Sequence, residues 1–377
     1  MSGSAAARGS TLLLAAVLVL CCVLPLASLA FGLLETPQAA GAAWLSRFQW
    51  TLVLRTLALC LGASALALLM GLPAALVIGR GRGAIAAAVV LVVPLTLLAP
   101  SLVLGYGWSQ AFRLAGVAAL PAGPLDTLRC VWTLAAWMWG LPAAAVGLYL
   151  RGLDARAEEQ ALLDGGRWRI TARLILPPAL ASACACCALA MQETGVFEPT
   201  GIAVIATEVR FVFETGILPR GVVAQDLAAR SAAALATAAP AVVLLLLLAA
   251  VAFFALRRAE AGEADSPAWA SAIDAPRWAF AATLLLLLLN LGVPVAAMAA
   301  SLHRPIDLGR MFIVFGPHLE GSFIVSALVG AVAVSTAVAA LVRRATWAIV
   351  VSMLWPWPPV PRKTVTPPPD STRTVAA

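Results

Sequence analysis

Between Arg230 and Arg257 the chain runs 26 residues without a charge, and the stretch AVVLLLLLAAVAFFAL at 241–256 holds no polar side chain. A run of this length can cross roughly 30 Å of hydrocarbon as a helix. Lipid offers no partner for backbone amides, so a spanning segment must satisfy them internally, as a helix, or in a closed barrel. The alternating polarity that a barrel needs is absent. The run is one of eight of its kind, at approximately 11–33, 52–79, 84–105, 131–150, 175–196, 231–256, 279–301 and 321–342. The expected fold is therefore an all-α integral membrane protein, a polytopic helical bundle of about eight complete transmembrane helices.

Composition closes off the alternatives. Apolar residues fill 62% of the 377 positions and charged ones 11%, which excludes a soluble globular domain. The net charge of +7 comes from 24 arginines and the single Lys363, placed singly or in pairs at the ends of apolar runs. That pattern reports topology rather than a nucleic-acid footprint. The first run follows Arg8, is too long for a signal-peptide core and leads to no polar mature chain, so it reads as a retained helix.

Orientation follows from the asymmetry of basic residues between alternate loops. With the N-terminus in the cytoplasm, 16 basic residues fall on the cytoplasmic side, among them Arg80, Arg82, Arg151, Arg167, Arg169, Arg173 and Arg277, against nine on the other. The loop EEQALLDGGRWRITARLILP at 158–177 then faces the cytoplasm. In it Asp154 is suited to cap a short helix over 155–164, with Glu158 and Glu159 in its favourable first turns. Gly165 and Gly166 would stop that helix, and a second, starting near Arg167, would close at Pro177 and Pro178 before the next membrane helix.

This loop resembles the signature loop of the permease subunits of ATP-binding-cassette (ABC) importers. Glu159, Ala161 and Gly165 match that pattern at its spacing, Gln160 replaces its second residue, and Leu176 and Pro177 match its close, with one residue fewer between the glycine and the Leu-Pro pair. The resemblance implies a MetI-like bundle whose loop at 154–176 is a coupling helix held by a cytoplasmic ABC ATPase dimer. It further implies an extracytoplasmic solute-binding protein as partner, a bacterial cytoplasmic (inner) membrane location, and a small solute moved inward with no cofactor and no covalent chemistry. No Gly-x-x-x-x-Gly-Lys-Ser/Thr is present in the chain, so the ATPase would be a separate polypeptide.

An internal repeat adds to this. Pro25 in CVLPLASLAF and Pro294 in LGVPVAAMAA stand 269 positions apart, and Gly62 and Gly330 stand 268 apart in similar helices. The repeat predicts a first six-helix copy over 1–258, a linker over 259–277, and the start of a second copy over 278–345. After these come a short apolar run and a Pro/Thr-rich tail over 346–377, expected to be disordered. This organisation resembles the fused tandem permeases for iron(III), thiamine and phosphonates. The second copy would lack its own coupling loop, which leaves two further readings: a second permease chain that supplies it, or a truncated, frame-disrupted product that does not transport and serves as a membrane scaffold.

Other residues carry less. Seven cysteines lie in or beside apolar runs without Cys-x-x-Cys spacing and read as small core residues. His303 and His318 flank a predicted outer loop and have no metal-ligand spacing. Gln192, Glu193 and Thr194 are unusually polar for a membrane segment; an ionised glutamate at mid-depth costs about 2.5–3.5 kcal/mol on insertion scales. They either border a translocation path or mark the end of the helix at the interface. Glu198, Glu208, Arg210 and Glu214 beyond them suit solvated interfacial helices or a docking surface. Tyr106 and Trp108 are expected in an interfacial aromatic belt, and Gly62, Ala63, Ser64 and Ala67 are expected to permit close helix packing.

Overall fold

The structure, a computed structural model, describes residues 47–116, 123–151, 167–217, 227–260 and 275–301, with isolated helical positions at 27, 320, 321, 324, 327 and 331. The chain forms two units, one of Met1–Ser28 with Ile306–Ala377 and one of Leu29–Pro305, and the elements described below belong to the second. The expected helix at 11–33, nearly all of that at 321–342, the loop residues 152–166, His303, His318 and the tail lie outside the described residues.

Every regular element among the described residues is helical. Helix α1 is Arg47–Arg80, α2 Gly83–Leu95, α3 Ser101–Leu114, α4 Pro124–Met138, α5 Gly140–Arg151 and α6 Arg167–Gln192. They are followed by α7 Ile205–Thr215, α8 Leu227–Glu260, α9 Arg277–Leu287 and α10 Val293–Ala300. Among the described residues four spans are long and apolar enough to cross a membrane, and up to six if each of two bent helix pairs counts as one. The chain is thus a helical membrane protein in its described part.

Proline decides where the spans depart from expectation. The run at 84–105, expected as one helix, is α2, a 3-10 turn over Thr96–Leu98 and then α3, bent by 89°. Pro100 has no amide hydrogen to donate and disfavours helical geometry at the residue before it. Two side chains take up carbonyls at the break: the Thr96 hydroxyl donates to Val93 O at 2.7 Å and the Trp137 indole to Leu97 O at 3.2 Å. The run at 131–150 likewise divides into α4 and α5, bent by 41°. Pro142 cannot supply the amide hydrogen that an α-helix would send to Met138 O, and the Cys186 thiol of α6 lies 3.9 Å from that carbonyl. The two breaks meet, since a methyl group on Gly140 would stand 2.5 Å from Val93 O.

The sequence reading placed a helix end at Pro177 and Pro178, and this is corrected. Helix α6 runs through both prolines from Arg167 to Gln192, so the second loop helix and the fifth span are one continuous element. Interior prolines each cost about 3 kcal/mol in an isolated helix. Burial of Pro178, Ala179, Ser182, Cys186, Cys187 and Ala190 in the bundle offsets that cost.

Helix α1 forms the centre, packed against α2, α4, α5, α6 and α9. Its closest approaches are at Gly71, where an added carbon would lie 2.9 Å from Trp139 O, and at Gly79, where it would lie 2.6 Å from Leu150 Cβ. Ala63, Ser64 and Ala67 are buried as expected, but Gly62 meets only Val131 at an ordinary 3.9 Å. Helix α8 is peripheral: 6% of its apolar window is buried, against 50% for α1 and for α6. Tyr106 is exposed, whereas Trp108 is not in a belt but inside, packed on Phe112 and Trp132.

These contacts gather the basic helix ends. Val77, Ala86, Ala279 and Phe280 form one cluster, and Ala75, Val146, Leu150, Ile175 and Ala179 another. Arg80, Arg82, Arg151, Arg277 and the start of α6 therefore lie at one end of the bundle.

Candidate functional site

Two regions of interest sit at opposite ends of α6. Of the signature positions, Leu176 and Pro177 lie in its first half, Leu176 exposed and Pro177 half-buried. Glu159, Ala161 and Gly165 lie outside the described residues. Sixteen residues further along, about 24 Å at 1.5 Å per residue, Gln192 closes the helix.

That far end is polar because the helix stops there. Gln192 is exposed and its amide donates to Ala188 O at 3.2 Å. The Glu193 carboxylate accepts the Gly195 amide hydrogen at 2.7 Å, which holds the chain in the turn that follows. A short 3-10 turn over Glu198–Thr200 ends at Gly201, whose φ of 67° lies in the left-handed region that glycine adopts without strain. Helix α7 then begins, and Thr194 joins Glu198, Glu208, Arg210 and Glu214 around an open cleft of about 240 Å3.

The cleft is held from both sides. Arg210 donates through Nε to Glu214 at 2.7 Å and through Nη1 to Glu198 at 2.9 Å, so one guanidinium clips α7 to the 3-10 turn. The bond to Glu214 and the charge of Glu198 raise the Arg210 pKa. Glu208 is half-buried and burial pushes its carboxyl above the ordinary range. Beneath the surface, the Thr56 hydroxyl of α1 donates to Leu52 O at 2.8 Å and accepts the Ile205 amide hydrogen at 3.1 Å. This satisfies one of the unpaired amides that open α7. The Cys130 thiol of α4 lies 3.3 Å from the Thr200 hydroxyl and 3.8 Å from Val196 O, tying the turn to the bundle.

The structure thus brings Thr194 together with Glu198, Glu208, Arg210 and Glu214 around the cleft, whereas Gln192 and Glu193 bond locally, to Ala188 O and the Gly195 amide, and do not line it; none of these residues is brought near Leu176 and Pro177. Sequence reasoning missed the ties made by Thr56 and Cys130, because nothing in a lone threonine or cysteine within an apolar run says which loop it will meet. Cys60, Cys130, Cys184, Cys186 and Cys187 are free and buried. Among the described residues no group of three or more His, Cys, Asp and Glu could hold a metal ion. No family model, curated protein or solved structure matches this chain.

Proposed function

We propose that this chain is the membrane-spanning permease subunit of a binding-protein-dependent ABC importer, moving a small solute of the iron(III), thiamine or phosphonate kind inward. It lies in a bacterial cytoplasmic membrane with its N-terminus inside. A separate ATPase dimer grips the loop at 154–176, and a solute-binding protein delivers cargo at the opposite face, where the cleft beside α7 offers the polar surface. The spacing of Glu159, Ala161, Gly165, Leu176 and Pro177 supports the ATPase partner.

The observation that carries the reading is the continuity of α6. A helix that runs from the signature loop to the polar turn without a break moves as one body, so a displacement at the loop reaches the far end of the bundle. Two separate helices joined at Pro177 would lose that motion in the joint. The path between the ends borders Gln192, Glu193 and Thr194.

Co-purification with candidate ATPase subunits tests the proposal. The intact chain should retain its ATPase through size-exclusion chromatography, and Gly165→Arg should lose it, although each chain purified without ATPase elutes at the same volume and melts at the same temperature. A Gly165→Arg chain that holds the ATPase as well as the parent contradicts the coupling role.

A further inference from the structure

Helix α8 carries Pro240 in its interior. Proline has no amide hydrogen to send to Ala236 O, and its ring crowds that carbonyl. In the same turn the Thr237 hydroxyl donates back to Ala233 O at 2.9 Å, a bond that bends and slightly destabilises a helix. Two weaknesses of α8 thus coincide just before the proline. The packing changes at the same place. Before it, Ala233, Ala234 and Ala236 are buried with Val212 of α7, and Val209 of α7 packs on them. After it, Ala241, Leu244, Leu245 and Leu248 lean on the main core, built largely from α1, α4 and α6. Among the described residues neither apolar cluster crosses Pro240, so the two halves of α8 belong to different packing units.

A bend needs room, and the structure leaves it. Helix α8 packs chiefly on α6 and α7 and scarcely on α1. An open, almost wholly apolar groove of about 320 Å3 remains between α1 and α8 at this point, lined by Gln49, Trp50 and Val53 on one side and by Ala239, Pro240 and Val243 on the other. Helix α7 is fixed at its start, where the Thr56 hydroxyl accepts the Ile205 amide hydrogen and Ala206 rests on the main core. Its far half is clipped to the preceding turn by the Arg210 and Glu198 pair at 2.9 Å, both side chains about half-exposed. Glu214, the other partner of Arg210, lies on α7 itself and travels with it. An exposed pair adds little to stability, so this clip opens readily.

We propose that α7 and the first part of α8, residues 227–239, form a hinged lid that bends at Pro240, pivots at Ile205 and closes onto Trp50 and Val53, with the Arg210 and Glu198 pair as its latch. The cleft beside α7 is divided by this motion. Thr194, Phe197 and Glu198 stay with the bundle, while Glu208, Arg210 and Phe211 ride on the lid, so its position sets the width of the cleft. A molecule that fits one width better than another holds the lid there. The lid goes beyond the transport reading and needs neither the ATPase nor the binding protein.

Amide hydrogen exchange on the full chain in lipid nanodiscs, read by mass spectrometry, tests the lid. Glu198→Ala opens the latch and should speed exchange roughly twofold or more in 209–215 and in 227–239 together, while 241–256 stays as in the parent. Pro240→Ala restores the missing hydrogen bond and should slow 227–239 by about threefold to tenfold. Val53→Phe fills the groove and should slow the same segment. Three results overturn the proposal: a Glu198→Ala effect confined to α7, an effect that runs on evenly past Pro240, or exchange in 227–239 that Pro240→Ala leaves unchanged. Exchange that Val53→Phe leaves unchanged or speeds overturns the closure onto α1. Glu198 is exposed, so its variant folds even if a change at the hinge does not. The measurement is made without an ATPase, so failure of the transport reading leaves its outcome untouched.

Discussion

At Gly147 a methyl carbon would stand 2.6 Å from Ile78 Cβ and 3.0 Å from Ala75 O, which is closer than packed atoms tolerate. Gly147→Leu should therefore destabilise the bundle by about 1–3 kcal/mol through overpacking, read as a lower melting temperature in detergent. Gly62→Ala, with its nearest neighbour at 3.9 Å, should melt like the parent. Small residues along α1 are visible in the sequence, but which of them faces another backbone is not, because that depends on where α5 crosses. A second residue-scale effect belongs to Glu208. Burial raises its pKa above the ordinary 4.5, so the folded state holds the proton more tightly than the unfolded chain does. Its contribution to stability is complete below pH 4.5 and is lost as pH rises through the raised folded value. Glu208→Gln should flatten that part of the melting profile between acid and neutral pH, and an unchanged profile would count against the assignment.

Among the elements, α7 depends on a single side chain of α1 for the start of its hydrogen-bond ladder. Thr56→Val keeps the shape but leaves the Ile205 amide hydrogen buried without its partner, a loss of about 1–3 kcal/mol. Amide hydrogen exchange over α7 should speed up in that variant while exchange in α5 stays as in the parent; equal protection in α7 would mean that Thr56 is not its anchor. The elements themselves were partly legible in advance. Length and hydropathy located α1, α6, α8 and the α9–α10 span because a charge-free run of that length has few alternatives in lipid. They failed at 84–105 and 131–150, where the hydropathy is continuous and only Pro94, Pro100 and Pro142 carry the signal. They failed in the opposite sense at Pro177 and Pro178, where packing in the bundle outweighs the local preference to stop. Proline alone does not say which way it will act; the carbonyl it leaves without a donor must find another, as Met138 O does in the Cys186 thiol at the break before Pro142.

For the molecule as a whole, the contacts within Leu29–Pro305 put Arg80, Arg82, Arg151 and Arg277 at one end and the Glu198, Arg210 and Glu214 clip toward the other. The class of fold was readable from composition because so apolar a chain has few other ways to bury its surface. The candidate site was readable only as a set of polar residues, since its form comes from α7 folding back on α1 and α8. The proposed transport role requires the basic end to face the cytoplasm and to carry the signature loop. Labelling of Glu159→Cys with a membrane-impermeant maleimide, against the unlabelled baseline of the parent chain, tests this directly. The account predicts strong labelling in inverted membrane vesicles and none in intact cells; strong labelling in intact cells would place the loop outside and contradict it.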